Sequence, residues 1–307
     1  MIRRLLLATL ALAVVAVLLG PWVMRPVGTR LAMTEDPGKY GLTYEAVQFS
    51  PPDRPTTVRA WWLPAPDARA ALVFVHGGGE DNRNLPYGGG LALARDLVAN
   101  RYSVLMIDLR NYGESDGTAE GTTFGDLETN DVLGATTYLS GRDAGVPLVA
   151  LGFSMLGGAT VLRAAAGGAP FRAVASDSAF ADAHAIATAF TIAATGMPRF
   201  IVAPFLWSAE YVHGVPLGRG TTLDSVRGAT MPPVLVIHDR NDPIVPVEHA
   251  RELALATGAT LWETDVASPG PFGTHIQSYL RQPREYVERL TGFFDGVLDA
   301  EAAAPAA

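Results

Sequence analysis

From about residue 71 the chain alternates two textures. Short apolar runs occur at 71–75 (ALVFV), 103–107 and 146–153, with further strand-like runs at 173–175, 234–237 and 260–263. Between them, apolar residues recur at helical spacing over 91–99, 124–139, 154–166, 247–256 and 284–297. Runs without a polar face suit strands buried on both sides, and their alternation with helices predicts a mostly parallel, doubly wound α/β sheet. Ahead of this, 44–49 and 58–63 are β-rich runs separated by the turn-forming S-P-P-D-R-P of 50–55, which predicts an opening hairpin. One stretch breaks the alternation. Residues 180–226 show no strand pattern and carry Phe190, Phe200, Phe205, Trp207 and Tyr211, so they read as inserted helices. An insertion after a strand's carboxyl end lies over the site in open α/β sheets, which makes it a cap.

The most apolar stretch comes first. Arg3 and Arg4 precede a run from Leu5 to Met24 interrupted only by Thr9, Gly20 and Pro21. Its length matches the roughly 20 residues of a membrane-crossing helix, and Trp22 falls where an interfacial aromatic would. Gly20-Pro21-Trp22 offers no small-x-small cleavage site, so an uncleaved signal-anchor, with the lipid bilayer as a partner, is expected over a cleaved signal. Arg3 and Arg4 on the inner side would put the folded domain outside the cytoplasm, although Arg25 and Arg30 weaken that bias. The expected organisation is an anchor over 1–30, one domain of catalytic size over 31–298 with its cap at about 180–226, and an Ala-rich disordered tail over 299–307.

Composition narrows the chemistry. The formal charge is −8 and no Lys/Arg-rich run occurs, which argues against nucleic acid as a partner. With no cysteine, disulfides, thiol catalysis and Cys-based metal sites are excluded. No metal-ligand spacing such as H-E-x-x-H is present, and no cofactor is expected.

Four segments supply reactive groups. Val149 to Ala159 read V-A-L-G-F-S-M-L-G-G-A, an apolar strand driven into Ser154 and followed by a small-residue helix start. A sharp strand-to-helix turn is what exposes and aims a serine nucleophile. His76-Gly77-Gly78-Gly79 follows the strand at 71–75; Gly77 or Gly78 would supply one backbone donor to an oxyanion, and the N–H of Met155 the other. His238 to Pro246 (H-D-R-N-D-P-I-V-P) offers a carboxylate to orient a histidine: Asp242 and Asp239 both qualify by position, Asp242 is preferred, and Asp177 is an outside candidate. His275, in the loop S-P-G-P-F-G-T-H, is the expected base. His249 lies on a polar helix face, His184 and His213 fall in the cap, and His76 and His238 suit loop-shaping roles.

These residues make the chain resemble the α/β-hydrolases, in particular a bacterial group of serine-aminopeptidase-like and dienelactone-hydrolase-related proteins with membrane-anchored relatives. The resemblance spans about residues 44–294 and rests also on H-G-G-G-E-D-N (76–82), D-L-R-N-Y-G-E-S-D-G (108–117) and V-L-V-I-H-D-R-N-D-P-I-V-P (234–246). It implies Ser154 as nucleophile, Asp242 as acid and His275 as base, in the chain order of that fold, with Asp108 and Gly113 shaping a neighbouring loop. Two positions depart from its pattern. Leu156 stands where a second glycine is usual and would crowd the serine; Asp239 stands where the strand end often reads H-G. The expected activity is carboxylic-ester hydrolysis through an acyl-enzyme. Peptidase, thioesterase or acyltransferase activity would use the same residues, and a non-catalytic membrane-anchored binding protein on the hydrolase fold is the reading from another class.

Overall fold

The computed structural model describes residues 14, 15, 17 and 18, and then residues 30–303 except 80, 216, 218–220 and 268–272. Eight strands form one sheet in the order β1-β2-β4-β3-β5-β6-β7-β8. The opening hairpin is β1 (Glu45–Phe49) with β2 (Val58–Leu63), and β2 also runs antiparallel to β4 (Tyr102–Ile107). From there the sheet is parallel through β3 (Ala70–Val75), β5 (Leu148–Phe153), β6 (Phe171–Asp177), β7 (Val234–Asp239) and β8 (Thr260–Thr264). Every residue of β3, β4, β5 and β7 is buried, as strands covered on both faces require. The period of two divides them between two cores. Val73, Val75, Leu105, Ile107 and Ala150 face one side, and Leu72, Phe74, Val104, Met106 and Leu151 the other.

The helices that cover those cores are α1 (Gly90–Ala99), α2 (Glu128–Arg142), α3 (Ala159–Ala166), α7 (Val247–Thr257) and α9 (Pro283–Ala303). Leu93 and Leu97 of α1 share one core with Tyr286, Leu290 and Phe294 of α9; Val132, Ala135, Leu162 and Leu253 of α2, α3 and α7 fill the other. Helix α2 starts at Glu128, later than the apolar spacing from Phe124 predicts. The reason is local: the buried Glu128 carboxylate accepts the N–H groups of Thr123 and Gly125 and the Thr123 hydroxyl. Those bonds fold the approach into a turn, with Phe124 at φ +53° and Gly125 at φ +92°. Helix α9 runs to Ala303, beyond the start of the tail expected at 299. The A-E-A-A sequence is strongly helix-forming, and Asp299 and Glu301 meet Arg69 and Arg172.

Between β6 and β7 stand α4 (Ala183–Thr195), α5 (Arg199–Tyr211) and α6 (Thr222–Val226), the helical insertion expected over 180–226. It leaves the carboxyl end of β6 and starts cleanly because Asp182 caps the amides of His184 and Ala185. Ile186 and Ala183 pack with Ala159 at the start of α3 and with Val245 after β7, which seats the insertion at the carboxyl edge of the sheet. Phe200, Trp207 and Tyr211 on α5 face solvent, so these aromatics line no core; the side chain of Phe190 lies outside the described ones.

The membrane anchor is corrected. Among the described residues no helix is long and apolar enough to cross a membrane. Most of Leu5 to Met24 lies outside the described residues, and residues 14, 15, 17 and 18 do not make a span. A hydropathic run predicts a spanning helix only where a continuous helix of that length forms. The bilayer partnership and the extracytoplasmic placement, which rested on the anchor alone, are therefore not retained.

Candidate active site

Ser154 sits at the junction of β5 and α3, buried, with φ +62°. A non-glycine residue held in the left-handed region is strained and persists only where its surroundings fix it. The fixing is visible in the glycines. Residues Ser154–Gly158 form a π-type turn, which takes up one residue more than an α-turn. A Cβ on Gly157 would lie 2.3 Å from the His76 carbonyl oxygen and 2.4 Å from that of Val75, and a Cβ on Gly152 would lie 2.2 Å from the Gly157 oxygen. The close backbone approach behind the serine thus falls on Gly157 rather than on the residue before it. Leu156 is freed from that contact and packs, buried, in the core with Tyr112 and Ala179. The crowding expected from Leu156 does not occur, because the turn carries an additional residue.

Ser154 Oγ lies 2.7 Å from His275 Nε2, and His275 Nδ1 lies 2.7 Å from Asp242 Oδ2. A carboxylate can only accept, so Nδ1–H donates to Asp242 and Nε2 is left to accept the serine proton. Asp242 is itself held: Oδ1 accepts the amides of Ile244 (2.8 Å) and Val245 (2.9 Å). Burial works to raise the Asp242 carboxyl, but the hydrogen bond and charge of His275 and the Val245 amide outweigh it and leave the group below its ordinary value. Three side chains from separate loops, after β5, β7 and β8, thus form one hydrogen-bonded chain.

The other candidates are occupied elsewhere. Asp177 accepts from Tyr286 Oη (2.8 Å) and Ser178 Oγ (2.9 Å), and burial pushes it up to about 6. Asp239 faces the end of β8 rather than His275. His76 donates through Nδ1 to the Gly77 carbonyl (2.6 Å) and accepts the Leu109 amide at Nε2 (3.1 Å), and burial lowers it to about 4. His238 bonds the Val245 carbonyl at 2.7 Å and lies 3.5 Å from Asp242 Oδ2, beside the acid rather than the serine, and His249 accepts the Ala181 amide at the entry to the insertion.

On the opposite side of Ser154 lies the glycine loop. A Cβ on Gly77 would come within 2.8 Å of Ser154 Cβ and 3.0 Å of Asp81 Oδ2, so only glycine lets the loop lie against the serine. The two glycines expected as oxyanion donors are not equivalent. The Gly77 N–H donates to Asp81 Oδ2 at 2.8 Å, whereas Gly78 lies beside Leu156 and Tyr112. Asp81 also accepts the Asn82 amide, and burial pushes its carboxyl up to about 8. Sequence reasoning gave Asp81 no role; the only signal was an acidic residue in a glycine loop beside an apolar strand.

The D-x-R-x-x-G-x-S loop backs this wall. Asp108 accepts from the Arg83 amide (2.7 Å) and guanidinium (2.6 Å) and from the Glu114 amide (2.9 Å), while Gly113, φ +48°, leaves room for that carboxylate. Arg110 is buried between Asp131 and Asp53. No group of His, Cys, Asp and Glu residues that could hold a metal ion occurs among the described residues.

Residues 70–219 match the family profile described as "alpha/beta hydrolase fold". Among solved structures, an esterase of Pyrococcus furiosus superposes with a TM-score of 0.71 at 20% identity, over 88% of this chain and 97% of that one. Est1E of Butyrivibrio proteoclasticus, with ferulic acid bound, gives 0.60 at 18%, over 83% and 100%. An esterase domain from Rhodothermus marinus gives 0.54 at 21%, over 82% and 97%. Curated proteins give no match by sequence. Sheet order, helical insertion, profile and superpositions agree on one architecture, and the chain has the α/β-hydrolase fold.

Proposed function

We propose that this protein is a serine hydrolase that cleaves carboxylic esters through an acyl-enzyme formed on Ser154. The observation that carries the reading is the unbroken chain Ser154 Oγ–His275–Asp242, with 2.7 Å at each link. A serine with a base in reach, and a base oriented by a buried carboxylate, is the arrangement that activates a hydroxyl. Ser154 Oγ attacks the ester carbonyl carbon as its proton passes to His275 Nε2. The amides of Met155 and Gly78 stabilise the resulting oxyanion. Collapse of the tetrahedral adduct expels the alcohol, which takes the proton from His275. Water then attacks the acyl-serine with His275 as base, and the acid leaves as Ser154 regains its proton. Asp242 stays ionised throughout, offsetting the charge of the imidazolium.

The test is labelling with a fluorophosphonate probe, followed by turnover of p-nitrophenyl esters of increasing acyl length. Wild type is expected to label at Ser154 and to turn over esters, while Ser154→Ala does neither. His275→Ala and Asp242→Asn should each lose about 10³-fold or more in kcat. An unlabelled wild type, or equal labelling of Ser154→Ala, would overturn the reading. A parallel series of p-nitroanilides separates ester from amide cleavage.

A further inference from the structure

Strands β7 and β8 end side by side, with Asp239 registered opposite Thr264, and from these ends the chain leaves into the loops that carry Asp242 and His275. At the junction is a buried carboxylate that the site as described does not use. Asp239 Oδ1 accepts the Asn241 amide (3.0 Å), inside the loop of Asp242. Its Oδ2 accepts the Thr264 hydroxyl (2.9 Å) and the Val266 amide (2.8 Å), where the loop of His275 begins. Thr264 has one hydroxyl proton and spends it on Asp239, so its 2.9 Å contact with Ser278 Oγ must be donated by Ser278. Ser278 opens α8 (Ser278–Arg281), where the same loop ends just past His275. Two further bonds run alongside, from the Arg240 amide to the Thr264 carbonyl (2.9 Å) and from Asn241 Nδ2 to Asp265 Oδ1 (3.0 Å).

Both ends of the His275 loop are thus tied to one carboxylate, and that carboxylate is also bonded into the loop of Asp242. We propose that Asp239 is a positioning residue for the base: through Thr264 and Ser278 it fixes the His275 loop against the Asp242 loop. In this role it sets the 2.7 Å contact between Asp242 Oδ2 and His275 Nδ1. A glycine at this strand end would leave Thr264, Val266 and Asn241 without their acceptor, and the start of the His275 loop tied to the Asp242 loop by the outer pair of bonds. This inference rests on the triad reading above.

The test compares Asp239→Asn, Thr264→Val and Thr264→Ser with wild type. An amide at 239 turns an N–H₂ toward one of the groups that now donate to it. Valine at 264 removes the relay while keeping the side chain's shape. For Asp239→Asn and Thr264→Val, kcat is expected to fall about 10- to 100-fold with KM little changed, since sub-ångström misplacement of a base costs rate rather than binding. The low-field proton resonance of the His275–Asp242 hydrogen bond should shift or broaden in both. Thr264→Ser, which restores the hydroxyl, should restore both readouts. Thr264→Val keeps the test open if Asp239→Asn does not fold. Variants that melt at lower temperature yet keep wild-type kcat and the low-field resonance would overturn the proposal and leave Asp239 a purely structural residue. Failure of the triad reading itself has a different signature, a wild type that the fluorophosphonate does not label at all.

Discussion

Asp81 shows how one buried group can carry two consequences. Its carboxyl lies across Gly77 from Ser154, accepts the Gly77 and Asn82 amides, and is pushed up to about 8 chiefly by burial, with the Asp108 charge adding to it. The nearby cation, Arg83, is already committed to Asp108 and Glu114. The folded value lies above the ordinary 3.8, so the folded chain binds this proton more tightly than the unfolded chain does. This contribution to stability is therefore greatest below about pH 4 and is lost as pH rises toward 8, with a slope of up to about 1.4 kcal/mol per pH unit. The difference in urea-unfolding free energy between wild type and Asp81→Asn should fall steadily from pH 5 to 7.5. A constant difference would show that Asp81 is ionised throughout. In the proposed mechanism the same ionisation sets a negative charge near the forming oxyanion. Wild-type kcat/KM should therefore decline above about pH 8, a decline that Asp81→Asn lacks.

At the scale of elements, the turn after β5 decides whether the serine is presented at all. Gly157 touches backbone oxygens that cannot move without displacing β3, whereas Leu156 is an ordinary core side chain. Gly157→Ala is expected to abolish labelling of Ser154 or folding itself. Leu156→Ala should cost about 2–5 kcal/mol of stability yet leave labelling intact. Labelled, stable Gly157→Ala would mean that the turn does not depend on that approach. This element also marks how far the sequence could be read. Apolar runs and turn residues locate the strands and the order Ser154, Asp242, His275, because buried strands and loop chemistry leave local signatures. The π-type turn leaves none: L-G-G reads as a departure from the family pattern until the backbone shows which glycine makes the contact. Likewise the late start of α2 follows from three bonds to Glu128, and the engagement of the Gly77 amide from the reach of Asp81. Each is a tertiary preference that overrides local periodicity.

Over the whole molecule, the site is assembled from loops at one edge of the sheet, so it depends on the two cores keeping the strand ends in register. The core under α9 joins the far end of the chain to that edge. Tyr286 is buried with its hydroxyl on Asp177 at the end of β6, while Phe294 packs against Tyr102 of β4. Further along, Asp299 and Glu301 make only exposed ion pairs, which contribute roughly 0–1 kcal/mol each. Removing residues beyond Leu298 should therefore change the melting temperature little, although five helical residues, 299–303, are lost. Phe294→Ala, which empties a fully buried ring from the core, should cost about 3–5 kcal/mol. In a domain of this size that corresponds to a fall in melting temperature of several degrees or more. The effect on the site should follow global stability: well below the transition, Phe294→Ala should keep near-wild-type kcat, because the ring packs on Tyr102 at the amino end of β4, whereas the site lies at the carboxyl ends of the strands. A truncation that destabilises as much as Phe294→Ala would show that the last turns of α9 hold the sheet, and that the burial pattern misplaces the strength of this helix.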